Sequence, residues 1–166
     1  MNELKQLMAG PPRLTLAVAE SLTCGRVQAR VGMISGASEF FLGGITAYSL
    51  SQKVKHLGVD RVAAGAVNGV SAEIASQMAR GVCAMFGSDV GIATTGYAEP
   101  WAEWDVSEPF AWWALAQRRA DGNFSLRTGR VDFPGAVRTQ VQEEVAEAVM
   151  SALLSHLREM RREART

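Results

Sequence analysis

The sequence predicts an α/β domain: a mixed sheet of about five strands covered by helices on both faces, in three layers. Three observations carry this. Residues 14–19 (LTLAVA) and 89–95 (DVGIATT) are short apolar runs of the kind that form strands buried on both faces. Ile74, Met78, Val82, Met85 and Phe86 recur at helical spacing between them. Residues 110–117 and 124–133 read as strands joined through Asp121-Gly122-Asn123, a turn short enough to make them antiparallel.

Taken in order, residues 2–8 predict a short helix, stopped by Gly10-Pro11-Pro12. The strand over 14–19 closes at Glu20-Ser21, where Ser21 or Thr23 is placed to cap a helix that turns Val27, Val31 and Ile34 inward. Such a strand-to-helix junction offers free N–H groups to a small anion. Residues 40–48 read as extended, with Gly43-Gly44 marking a bulge or close approach. Ser49 or Ser51 opens a helix that runs to His56 and ends at Gly58. Residues 59–70 carry loop signals, Ser71 caps the helix of residues 74–86, and Gly87 stops it. The segment 97–109 is a loop with Trp101, Trp104 and four carboxylates, Glu99, Glu103, Asp105 and Glu108. Pro134 suits a first helical position. Val137, Val141, Val145, Val149, Leu153 and Leu157 then form an apolar stripe, and the arginines of residues 158–165 suit the C-terminal dipole.

Composition narrows the function. With 166 residues, 48 % hydrophobic and 20 % charged, the chain reads as one globular domain over 1–166. Seventeen basic residues balance seventeen acidic ones, which leaves no electrostatic footprint for nucleic acid. No apolar run reaches the roughly 20 residues of a membrane span, and the N-terminus lacks the pattern of a signal peptide. Two cysteines make no disulfide framework, and His56 and His156 lie too far apart for metal-ligand spacing. The expectation is a cytoplasmic protein without metal or cofactor.

Chemistry concentrates in residues 19–58, which hold Ser21, Ser38, Tyr48 and Lys53. A hydroxyl nucleophile needs a base, and an uncharged lysine can serve. Each residue also has a plain reading: Ser38 as a turn residue, Lys53 as a solvated lysine, Tyr48 as a half-buried strand aromatic. Glu20-Ser21 and Thr95-Gly96 both fall at carboxyl ends of predicted strands, where ligands sit in open α/β sheets.

The order of motifs resembles the C-terminal domain family of the competence/damage-inducible protein CinA. Ala19-Glu20-Ser21-Leu22-Thr23-Cys24-Gly25 is similar to that family's A-E-S-C-T-G-G, and Gly36-Ala37-Ser38 to its G-S-S. Tyr48 and Lys53 match its Y-x-x-x-x-K, residues 65–71 its G-A-V-S helix entry, and residues 89–96 its strand ending T-G. The resemblance covers nearly the whole chain without the larger N-terminal domain of full-length members. It implies an anticodon-binding-domain-like α/β/α sandwich.

The activity implied is that of stand-alone members: metal-free and cofactor-free hydrolysis of nicotinamide mononucleotide to nicotinic acid mononucleotide and ammonia. Ser38 would be the nucleophile and Lys53 its base, with Tyr48 and Ser21 assisting. Glu20, Thr23, Gly25, Thr95, Gly96 and Arg138 would bind substrate, and a homodimer is the implied assembly. Two departures bear on substrate. The family's glycine-rich A-G-P-G-G loop is here Ala98-Glu99-Pro100-Trp101-Ala102-Glu103-Trp104, whose carboxylates repel phosphate. The family's G-D-R aligns with Gly135-Ala136-Val137-Arg138 only through one inserted residue. Hydrolysis of a different amide, or ligand binding without catalysis, therefore stand as alternatives.

Overall fold

The computed structural model describes residues 3–164. Five strands form one sheet: β1 (Leu16–Glu20), β2 (Phe41–Thr46), β3 (Val90–Tyr97), β4 (Phe110–Arg118) and β5 (Phe124–Asp132), in the order β2-β1-β3-β4-β5. β2, β1 and β3 run parallel, while β4 and β5 are antiparallel to their neighbours. The mixed sheet is as the strand lengths and the hairpin turn predict.

Alternation along the strands builds two unlike cores. On one face Leu16, Val18, Ile92 and Leu115 meet α1 (Glu3–Ala9), α2 (Arg26–Gly32) and α6 (Arg138–Glu163) through Leu4, Val27, Val31, Val149, Leu153 and Leu157. On the other, Ala17, Ala19, Ala93, Ala114 and Ala116 meet α5 (Ala72–Phe86) through Ile74, Met78 and Val82. The alanines let α5 lie close to the sheet. A Cβ on Gly91 would come within 2.3 Å of the Ala79 carbonyl, so that contact requires glycine. α3 (Leu50–Leu57) docks on α5 at Gly81, where a Cβ would stand 2.0 Å from Leu57 O.

Two local expectations change. Residues 59–70 are not all loop, since α4 (Arg61–Ala66) forms there with Asp60 accepting from the Ala63 N–H. Pro134 does not open the last helix: the chain turns at Pro134-Gly135 and α6 starts after Val137, which is exposed and leaves the apolar stripe to begin at Val141. The late arginines do fall at the end of α6, with Arg161 and Arg162 in its last turn, and they also tie α1 down. Arg158 pairs with Glu3, and Arg161 donates to the carbonyls of Leu7, Pro11 and Pro12. Asn2 and Arg165 lie outside the described residues. Among those described, no helix is long and apolar enough to cross a membrane.

Candidate active site

A cavity of about 580 Å³ opens beyond the carboxyl ends of β1 and β3. Its lining includes Ser21, Tyr48, Lys53, Asn68, Gly96, Glu99, Trp101 and Arg138. The parallel strands deliver Ser21 from the end of β1 and Gly96 from β3. Tyr48 follows β2, and Lys53, the fourth residue of α3 and about one turn into it, points back inward.

Lys53 is 3 % exposed. Its Nζ donates to Thr95 Oγ1 at 3.0 Å and to Gly69 O at 3.3 Å. Thr95 Oγ1 in turn donates to Gly69 O at 2.7 Å. Among the described residues no carboxylate pairs with this ammonium. Burial disfavours the charged form and lowers the lysine from its ordinary 10.5 to about 8. Ser21 is likewise buried at 5 % exposure, and its Oγ reaches Tyr48 O at 3.5 Å. Tyr48 stands at the mouth, where its hydroxyl accepts from Arg138 Nη2 at 2.7 Å. Arg138 Nη1 holds Glu99 Oε1 at 2.9 Å. Trp101 packs edge-on against Tyr97, ring centroids 5.9 Å apart, and its N–H and carbonyl pair with Val106 to fold the loop back on itself.

Ser38 is not part of this cavity. It sits exposed in a 3-10 turn ahead of β2, whose next residue Glu39 bonds Lys5 and Arg13 at the amino ends of the strands. The six residues of β2 separate it from Tyr48 and Lys53, about 20 Å of strand. The Ser38–Lys53 dyad is thereby corrected: a strand between two residues carries them to opposite ends of the sheet. Of the two candidate serines it is Ser21 that shares the cavity with Lys53; Ser49 also lines it, at an exposed position.

Glu20, Thr23 and Gly25 are likewise structural. The Glu20 carboxylate is fully buried and accepts from Thr23 Oγ1, Gly25 N, Val27 N, Gln28 N and Gln28 Nε2 at 2.6–3.2 Å. The anion at the N-terminus of α2 is therefore the protein's own, and neither Ser21 nor Thr23 caps the helix. Thr23 Oγ1 also meets Thr94 Oγ1 at 2.8 Å, which joins β1 to β3. Thr95 stands behind Lys53 rather than in the lining. Gly96 lines the cavity where a Cβ would lie 2.5 Å from Phe110 O, so the wall is set by β4. Arg138 lies at the mouth.

Sequence reasoning missed the Gly69 carbonyl and Asn68, whose Nδ2 donates to Tyr97 OH at 3.2 Å. The signal was the Asn68-Gly69 dipeptide, a turn marker: both residues take positive φ, 49° and 70°. Cys24 also has positive φ (48°) and is exposed, while Cys83 is core. Among the described residues no three His, Cys, Asp or Glu side chains gather as a metal site.

A sheet of this order, with a cavity past its parallel strand ends and an amine buried at the cavity floor, defines an α/β protein with a pocket at the place where open sheets of this class take ligands. The chain belongs to the CinA family: the model of the CinA C-terminal domain matches residues 3–157. A CinA-like protein of Chlorobium limicola is 36% identical over 161 residues, covering 96% of this chain and 37% of that protein. A second CinA-like protein, from Chlorobaculum tepidum, is 36% identical over 151 residues, covering 89% and 35% respectively. This chain thus spans little more than a third of the length of those relatives. Among solved structures, a CinA superfamily protein from Klebsiella pneumoniae superposes with a TM-score of 0.84 at 25% identity, covering 95% of this chain and 94% of the other. One from Enterobacter cloacae gives 0.82 at 25% identity, covering 93% and 90%.

Proposed function

We propose that this chain is an amidohydrolase in which Ser21 is the nucleophile and Lys53 its general base. The observation that carries the proposal is a buried, carboxylate-free lysine lowered to about 8 that faces the same cavity as a buried serine. At that value roughly 10 % of the amine is neutral at pH 7, against about 0.04 % for an ordinary lysine. Ser21 Oγ bonds to the carboxamide carbon as its proton passes to Lys53 Nζ. The tetrahedral species collapses when Lys53 returns the proton to the amide nitrogen, which leaves as ammonia. Water then cleaves the acyl ester by the same proton relay, freeing the carboxylic acid and Ser21. Nicotinamide mononucleotide is the first substrate to try, with Arg138 of the cavity lining as the candidate partner of its phosphate.

Ammonia release from the purified chain tests this. Turnover that vanishes in both Ser21→Ala and Lys53→Ala supports it, and turnover surviving Ser21→Ala overturns it. A second reading rests on the bonds Lys53 already makes: as a strut between α3, β3 and the turn after α4, it would serve a ligand-binding protein without catalysis. That reading expects ligand-dependent thermal stabilisation and no product.

A further inference from the structure

A second hollow, of about 650 Å³, opens at the other end of the sheet, where Leu14 leads into β1, Asp89 into β3 and Arg118 closes β4. Four arginines line it from three stretches of chain: Arg13 before β1, Arg118 and Arg119 at the end of β4, and Arg127 in β5. Three carboxylates share the lining, and two of them are engaged. Asp89 accepts from Thr15 N at 2.8 Å and from Thr15 Oγ1 at 2.7 Å, and Glu159 pairs with Arg127 at 2.6 Å. Glu163 stands exposed at the last residue of α6. Arg13 leans on Glu39, outside the hollow, at 3.6 Å. Arg118 lies over the Phe124 ring, 4.8 Å from its centroid. Among the described residues no carboxylate pairs with Arg118 or Arg119. Two guanidinium forks are therefore left for an outside partner, and such forks match the oxygens of a phosphoryl group.

His156 of α6 gives a second, independent sign. It lines the same hollow and is 6% exposed. Its Nε2 lies 2.5 Å from Gln117 Oε1, while Gln117 Nε2 donates to Met160 Sδ at 3.0 Å. An oxygen at that distance makes Nε2 the protonated nitrogen and leaves Nδ1 a lone pair. Nδ1 is buried, and among the described residues nothing bonds it. Buried polar atoms without a partner are few in folded proteins, so this one asks for a reason. Burial first, and then the charge of Arg127, hold the ring below its ordinary pKa, against the pull of Glu159 and Glu163. An anion among the arginines offsets Arg127 and favours the imidazolium. We propose that this hollow is a binding site for a phosphoryl dianion, held by Arg118 and Arg119 beside Arg127, and that the anion binds together with one proton on His156. The site lies at the far end of the sheet from Lys53 and does not depend on the amide chemistry.

Sulfate is the first probe, because it stays a dianion throughout the range in which histidine titrates. Calorimetry is expected to show saturable binding that tightens about twofold or more from about pH 8 to about pH 6. Arg118→Gln combined with Arg119→Gln, both at exposed positions, should weaken it about tenfold, while Arg138→Gln leaves it within about twofold. Circular dichroism checks that the variants fold. The chain holds two histidines, so proton NMR can follow the His156 ring, with His56→Gln fixing the assignment. Sulfate should raise the pH at which His156 titrates in wild type and leave it unmoved in the double arginine variant. Inorganic phosphate and adenosine monophosphate then separate a free ion from a nucleotide-borne group. Tighter binding of either upholds the site and names the source. No saturation, an equal loss in Arg138→Gln, or a His156 titration that bound sulfate leaves unmoved overturns the proposal.

Discussion

Lys53 Nζ lies 3.0 Å from Thr95 Oγ1, and Thr95 has already given its one hydroxyl proton to Gly69 O at 2.7 Å. Thr95 can therefore only accept from the lysine. A neutral amine has two N–H bonds, which the Thr95 oxygen and the Gly69 carbonyl take up, and one lone pair left over. Thr95 is thus a positioning residue for the proposed base. Thr95→Val keeps the shape and removes the acceptor, and is expected to lower kcat about tenfold, a little over 1 kcal/mol of barrier. It also removes a bond that favours the ammonium, so the acidic limb of the pH profile, where turnover rises as the base loses its proton, should move below 8. Thr95→Ser should restore both. An unmoved pH limb in Thr95→Val would show that Thr95 only fills space.

Burying Lys53 opposes folding at neutral pH. Its lowering from 10.5 to about 8 corresponds to roughly 3 kcal/mol. Between pH 8 and 10.5 the unfolded chain binds a proton that the folded chain rejects, so resistance to unfolding rises with pH through that window. Below pH 8 the whole cost is present. Lys53→Met, close in length and without charge, is expected to abolish turnover yet stabilise the fold by about 1–3 kcal/mol at pH 7. Urea titrations at pH 7 and pH 10 check this, and the gain should shrink at the higher pH.

Glu20 should behave in the opposite way, because its carboxylate serves five donors at the start of α2. Glu20→Ala strands those N–H groups in the interior and is expected to cost about 3–4 kcal/mol. Chemical denaturation measures it. A loss below about 1 kcal/mol would show that water replaces the carboxylate there.

Ser38→Ala separates the two serines most directly. Ser38 is exposed at the amino end of β2, so its loss should leave ammonia release within about twofold of wild type, a change of under 0.5 kcal/mol. A collapse in rate would restore Ser38 to the site and contradict the topology.

Gly81→Ala probes the support beneath α3. The added methyl would meet Leu57 O at 2.0 Å, backbone that cannot swing aside as a side chain can. Its expected cost is about 2–3 kcal/mol, with α3 displaced and Lys53 with it. Thermal unfolding and the activity assay should fall together.

Much of this molecule was legible in one dimension because the signals are local. Apolar runs of strand length, the Ser71 and Gly87 stops of α5 and the Asp121-Gly122-Asn123 turn each depend on neighbours along the chain. Where the reading slipped, a short motif had two meanings. Pro134 starts a turn instead of a helix, and α4 is six residues held by the single Asp60 cap within a stretch full of turn signals. The glutamate of the Ala19-Glu20-Ser21 motif looked like a ligand-binding group, yet its partners are backbone donors that only the folded turn presents.

By itself the chain settled the layers, the strand count, the family likeness and the four residues worth testing, since periodicity and motif order are properties of a line. Which hydroxyl shares a hollow with Lys53 was decided by the fold. A strand rises about 3.3 Å per residue, so β2 carries Ser38 and Tyr48 to opposite ends of the sheet. Parallel pairing of β1 with β3, in register through Ala19 and Ala93, brings the end of β1 that leads into Ser21 alongside the strand that carries Thr95, more than seventy residues away in sequence. The unpaired, water-starved state of the lysine, on which the proposed chemistry depends, exists only once α3, β3 and the Gly69 turn close around it.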